Sequence, residues 1–145
     1  MLSQTAEYAL RAVVWLANHT DAPVTREDLA HATKVPPDYL SKVMQALRRS
    51  GLIIAQRGKS GGFTLIRTAD EITILDVVNA VDRVQRIMEC PLGIKGHGRK
   101  LCPLHARMDE AMVMIERVFR GTTIGELIHS ASPIKPLCQI GVGRA

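Results

Sequence analysis

Between Lys34 and Arg67 the chain places seven basic side chains (Lys34, Lys42, Arg48, Arg49, Arg57, Lys59 and Arg67) against one acidic residue, Asp38. Cations gathered this closely match a polyanion, and duplex nucleic acid with its dense row of phosphates is one. The formal charge of the whole chain is +5, so the remaining residues are near neutral and the basic character is local. A second set of reactive groups lies farther on. Cys90, Cys102 and Cys138 are odd in number and fit no familiar disulfide framework, so in a reducing compartment they read as thiols or metal ligands.

The elements that must position these groups follow from spacing. Residues 3–18 carry Ala6, Leu10, Val13, Val14 and Ala17 at helical intervals, with Glu7 and Arg11 one turn apart on another face. Thr25 followed by Asp28 predicts a capping box and a second helix, with Leu29 and Ala30 as its short apolar face. Pro36 and Pro37 suit the first turn of a third helix, where a missing N–H is harmless, and Gly51 stops that helix after Ser50. Along it Leu40, Val43, Met44 and Leu47 form one stripe, leaving Ser41, Lys42, Gln45, Arg48 and Arg49 to project elsewhere. Two β-favouring runs, 52–56 and 63–67, joined through Gly58, Lys59, Ser60, Gly61 and Gly62, predict a hairpin with a glycine-rich tip. Two short helices, a basic third helix and a hairpin are the order of a winged helix-turn-helix.

Beyond it, Thr73 with Asp76 opens a helix to about Val81, and 89–101 has no periodicity, a loop of the length that usually has a function. Pro103 starts the longest regular segment, in which Leu104, Met108, Ala111, Ile115 and Val118 alternate steps of four and three, the pattern of a helix that packs on another helix. About two heptads are short for an independent coiled coil, so support from the winged domain is expected. Thr123 with Glu126 marks a last short helix through His129, and Ser132, Pro133, Pro136 and the closing glycines predict a flexible tail. The expected organisation is a DNA-binding domain over 1–82, a cysteine loop over 83–102, a dimerisation helix with a short terminal helix over 103–130, and a tail over 131–145. Hydrophobic residues make up 46% but aromatic ones only 3%, so the core must be built from Leu, Ile, Val, Ala and Met, and the fold class is mainly α with a small β-hairpin wing. The first apolar stretch contains Glu7 and Arg11 and has no basic leader, which predicts a cytoplasmic protein without a membrane span.

If the third helix enters the major groove by its N-terminal part, it presents Pro37, Asp38, Ser41, Lys42 and Gln45 to base edges, with Arg48 and Arg49 nearer phosphate. At the hairpin tip the glycines allow close approach of the backbone, and Arg57, Lys59 and Ser60 reach phosphates or the minor groove. These tip contacts position the protein rather than read sequence.

The stretch YLSKVMQALRRSGLIIAQRGKSGGFTLIR resembles the helix and wing of the Rrf2 family of winged-helix regulators, and EYALRAVVWLA resembles its first helix. The similarity continues through ITILDVVNAVD, the cysteine loop, CPLH and TTIGELI, covering about residues 1–130. The resemblance implies a homodimer joined by the helix beginning near Pro103, a two-fold related operator, and in many members a 2Fe–2S cluster whose redox or assembly state alters DNA affinity. Family members with clusters commonly have three loop cysteines, whereas CPLGIKGHGRKLCPLH has only Cys90 and Cys102, with Gly96, His97 and Gly98 where the middle one is expected. Because His or a carboxylate can replace thiolate, His97, His105 and Glu7 are the candidates to complete a set with Cys90 and Cys102. His105 lies one helical step from Cys102, Cys102 sits where a helix dipole favours an anion, and Glu7 matches a first-helix position from which some relatives supply a ligand across the dimer.

Four other readings stand beside this one. The regulator can be cofactor-free and respond to a small molecule, or use Cys90 and Cys102 as thiols or zinc ligands. Cys102 with His105 as a thiol enzyme lacks a third orienting group, a Cys-x-x-Cys motif and a phosphate-binding glycine loop, so the chain is expected not to be an enzyme. A protein-interaction module would use the same basic face on an acidic partner. Cys138 falls in the tail and is expected to be incidental.

Overall fold

The computed structural model describes residues 2–97 and 100–137. Helix α1 (Gln4–Asn18) begins at Ser3, whose hydroxyl accepts the Ala6 N–H, and runs through the centre of the molecule, burying Ala6, Ala9, Ala12, Val13 and Leu16. Its alanines let neighbouring helices approach closely. Helix α2 (Arg26–Thr33) starts at Thr25, which accepts the Asp28 N–H. The reciprocal half of that expected box does not form, because the Asp28 carboxylate takes its 2.8 Å hydrogen bond from the Thr25 hydroxyl and not from its N–H. Lys34, in the left-handed region at φ 55, ends α2, and α3 (Pro37–Arg49) follows with Pro36 just outside as its cap residue and not within its first turn.

Strands β1 (Ile53–Gln56) and β2 (Gly62–Leu65) pair antiparallel, from Ile53 opposite Leu65 to Gln56 opposite Gly62. The second strand ends sooner than its β-favouring run, because Thr68 and Glu71 cap a 3-10 turn over Ala69–Glu71 that redirects the chain. Helix α4 (Ile74–Val81) forms with both halves of the Thr73–Asp76 box, and no helix or strand occurs among the described residues from 82 to 102. Helix α5 (Pro103–Arg120) and α6 (Ile124–Ile128) complete the chain, the latter on the full Thr123–Glu126 box.

One core unites the N-terminal elements: Val13 and Leu16 of α1, Leu29 of α2, Leu40, Val43, Met44 and Leu47 of α3, Ile53 of β1 and Val77 of α4 are all buried. Truncating such a residue, Leu47 for example, costs about 2–5 kcal/mol by leaving a cavity. The chain's late segment returns to this core. Ile124 is fully buried, its N–H bonds the Ile72 carbonyl at 2.8 Å, and the Ile74 N–H bonds Thr122 at 3.0 Å, so α6 is docked on the winged domain. Helix α5 by contrast buries none of its residues fully. Of the segment expected to be a tail, 131–137 has no helix or strand, yet Leu137 packs against the core cluster; Cys138 and the rest lie outside the described residues.

The wing is tethered by a second contact. Val24, between α1 and α2, pairs with Phe63 of β2 through N–H···O bonds of 3.0 and 2.8 Å. Gly62, at φ 153, lies so close that an added Cβ would stand 2.5 Å from the Val24 carbonyl oxygen. Gly62→Ala is therefore expected to destabilise the fold by on the order of 1–3 kcal/mol. A lowered midpoint in urea unfolding checks this, and an unchanged one would mean the wing moves off Val24 freely.

Candidate nucleic-acid interface and cysteine loop

Helix α3 is held by its apolar stripe, so its remaining face stays outside. Pro37, Asp38, Lys42, Gln45, Arg48 and Arg49 are exposed and Ser41 is half-buried. Ser41 donates its hydroxyl to the Pro37 carbonyl at 3.1 Å and accepts from Arg26 at 3.3 Å. The strands start directly after α3: Leu52 N–H bonds the Leu47 carbonyl, and Ile66 N–H bonds Leu52. At the tip the Gly61 N–H closes a turn on Gly58 at 3.0 Å, leaving Arg57, Lys59 and Ser60 in solvent. Helix and wing meet around one hollow of about 430 Å³ that Ser41, Lys42, Gln45 and Arg48 of α3 share with Phe63 of β2. The ten residues expected to face a polyanion thus fall on α3 or the wing tip, and α3 borders the same space as strand β2 of the wing.

Arg26 also lines that hollow, and spacing did not single it out. It follows the α2 cap in sequence, sixteen residues before Lys42, and only the packing of α2 across α3 brings the two together. The signal that pointed toward it is the Thr25 cap, which fixes where α2 begins.

The residues of the candidate metal set are spread out. Cys102 is the cap residue of α5, and its Sγ lies 3.3 Å from His105 Nδ1, one helical step away as the spacing implies. Cys90 is half-buried in the loop, where its carbonyl accepts the Gly93 N–H. His97 has a buried Nδ1 without a hydrogen-bond partner among the described residues. Glu7 pairs with Arg11 at 3.1 Å and borders a cleft with Pro136 and Leu137. Among the described residues, no three His, Cys, Asp or Glu side chains come together in a metal-holding group. An iron–sulfur site needs four ligands, more than the described residues bring together in one place.

With this geometry in view, the sequence model of the Rrf2 family, described as iron-dependent transcriptional regulator, matches residues 2–130. The chain belongs to the Rrf2 family. It is a DNA-binding transcriptional regulator, as its relatives are, and not an enzyme. A helix-turn-helix-type transcriptional regulator of Aquifex aeolicus is 33% identical over 132 residues, covering 89% of this chain and 92% of that protein. The regulator NsrR of Geobacillus kaustophilus is 28% identical over 144 residues, covering 95% and 96%. In three dimensions the Rrf2 fold is shared with T. potens IscR, with a TM-score of 0.75 at 21% identity over 91% of this chain and 88% of that one. Among the described residues no helix is long and apolar enough to cross a membrane.

In this Rrf2 chain the segment leading to the cysteine loop is clamped to α5. Arg86 donates through Nε and Nη2 to the two Asp109 oxygens at 2.7 and 2.6 Å, and the Ile87 N–H adds a third bond at 2.9 Å. The Arg86 hydrogen bonds, against some opposition from burial and with help from Ile87, hold the Asp109 carboxyl at about 2, below the usual 3.8. The folded value is the lower one, so the clamp contributes above the ordinary carboxylate range and is lost as pH falls from there through about 2. Amide exchange at Ile87 should accelerate over that window beyond the intrinsic pH effect. In Asp109→Asn it should already be fast at neutral pH, and protection equal to wild type would show that the clamp does not hold the segment.

Proposed function

We propose that the protein is a homodimeric repressor that reads a two-fold related operator, each half-site taking one α3 and one wing. The observation that carries this reading is the shared hollow, in which the polar face of α3 and strand β2 border one cation-rimmed space. A polyanion laid along α3 therefore meets the wing as well. Of the residues expected at base edges, Pro37, Asp38 and Gln45 keep that part, while Ser41 and Lys42 border the hollow with Arg48, and Arg49, Arg57, Lys59 and Ser60 lie toward the backbone. In a salt series with wild-type protein, affinity for duplex DNA falls steeply, and Lys59→Ala lowers the slope of log affinity against log salt by about one unit. Equal affinity for all sequences at every salt would overturn specific regulation.

Dimerisation is assigned to α5. Leu104, Met114 and Val118 are 64%, 61% and 61% exposed, and Met108 is also open, while Met112, Ile115 and Phe119 turn toward Leu2, Val78 and Val84. An apolar row of this kind on a helix supported from behind fits a second copy of itself. Met114→Glu is expected to shift the protein to monomer in sedimentation at micromolar concentration and to weaken operator binding with it; a dimer unchanged by the charge would place the interface elsewhere.

The loop from Cys90 to His105 is read as the sensing segment for redox, iron or nitric oxide state in a cytoplasmic regulator. The 3.3 Å contact between Cys102 Sγ and His105 Nδ1 supports a thiol-based centre, since it keeps a hydrogen-bonding imidazole beside the sulfur. The buried Nδ1 of His97, without a partner among the described residues, favours the second reading, a 2Fe–2S cluster completed across a dimer with Glu7. An anaerobic visible spectrum with iron and sulfide analysis separates them: bands that vanish in Cys90→Ala support the cluster. A colourless protein whose operator affinity changes on alkylation of Cys102 supports the thiol, and one indifferent to alkylation fits the cofactor-free regulator with a small-molecule effector.

A further inference from the structure

The hollow between α2, α3 and β2 is rimmed by three cations from two helices, Arg26, Lys42 and Arg48, over a floor of Met44 and Phe63. Like charges converging on one space repel, and little nearby relieves them. Arg26 has a 3.4 Å contact with Glu27, itself mostly in solvent, and neither Lys42 nor Arg48 has an ion-pair partner among the described residues. Such a rim is a standing demand for an anion. The floor is apolar, so the anion that fits best brings a nonpolar body with it.

A nucleic-acid backbone unit has that composition: a charged phosphodiester attached to a deoxyribose whose C–H faces pack on Phe63 and Met44. Free phosphate leaves the floor uncovered, and a base edge leaves the cations unneutralised. Ser41 supports the same assignment. Its hydroxyl proton goes to the Pro37 carbonyl and it accepts from Arg26 Nη1, so both its donor and one acceptor site are committed within the protein. A Ser41 so engaged orients the Arg26 guanidinium over the hollow and is poorly placed to read a base.

We propose that Arg26, Lys42 and Arg48 clamp a single phosphodiester of the operator in this hollow, with its deoxyribose against Phe63 and Ser41 acting as a positioning residue for Arg26. The clamp rests on the DNA-binding reading and adds to it a fixed point: the recognition helix, the wing and α2 all grip the backbone at one nucleotide, which sets the register of the other contacts.

The test uses the full chain and a duplex selected from a random pool by the wild-type protein. Arg26→Ala should weaken binding roughly tenfold at low salt and reduce the salt slope by about one unit, with the loss uniform across sequences. Arg26→Lys, which keeps the charge, should restore the slope, and both variants should melt as wild type because Arg26 is 52% exposed. A scan replacing each phosphate by neutral methylphosphonate then locates the contact. At one linkage the replacement should weaken wild type while leaving Arg26→Ala and Lys42→Ala little changed, and Ser41→Ala should weaken that same coupling. A wild-type slope in Arg26→Ala, or couplings at separate linkages for Arg26 and Lys42, overturns the clamp while leaving the regulator intact. Absence of salt-dependent duplex binding by wild type would instead strike the DNA-binding reading beneath it.

Discussion

Burial of Leu40, Val43, Met44 and Leu47 beneath α3 is the constraint on which the rest of the molecule depends. A helix fixed by one stripe has no freedom to roll, and its opposite face is presented to solvent with a defined orientation. Polar side chains on that face gain nothing from the fold and are free to serve a ligand. Since β1 follows α3 after a turn of three residues, with Leu52 bonded back to Leu47, the same burial also sets where the wing begins. The regulator's contact surface is thus a consequence of core packing.

The wing needs a second support, because a two-stranded ribbon is marginal by itself. It receives one from the Val24–Phe63 bridge, which makes the turn between α1 and α2 an edge partner of β2. Gly62 permits the approach. The outcome is a triangle of α2, α3 and β2 around one hollow, with each side defined by hydrogen bonds or buried apolar contact. Rigid placement of this kind lets cations from different elements converge on one space, where an anion offsets their mutual repulsion.

The C-terminal third is built on a different balance. Helix α6 is anchored through Ile124 and the Thr73–Thr123 bridge, and the approach to the cysteine loop is anchored by the Arg86–Asp109 clamp, but α5 between them remains unburied. Apolar side chains left in water on an otherwise well-supported helix are costly in isolation and account for the assignment of a second chain there. The loop carrying Cys90 and His97 hangs from this frame, with Cys102 and His105 at its far end on the first turn of α5.

Local signals in the amino-acid order were enough for the element succession: Thr25, Thr73 and Thr123 each announced a helix start, Gly51 an end, and the glycines of 58–62 a hairpin, because caps and turns depend on residues within a few positions of one another. The stripe on α3 and the Cys102–His105 contact were legible for the same reason, both being matters of helical repeat. Tertiary structure alone decided that Arg26 joins Lys42 and Arg48, that Val24 props the wing and that α6 belongs to the N-terminal core. Each of those pairings joins residues far apart in the chain, and their proximity is set by how whole helices pack, an outcome of total apolar burial that no short window of residues encodes.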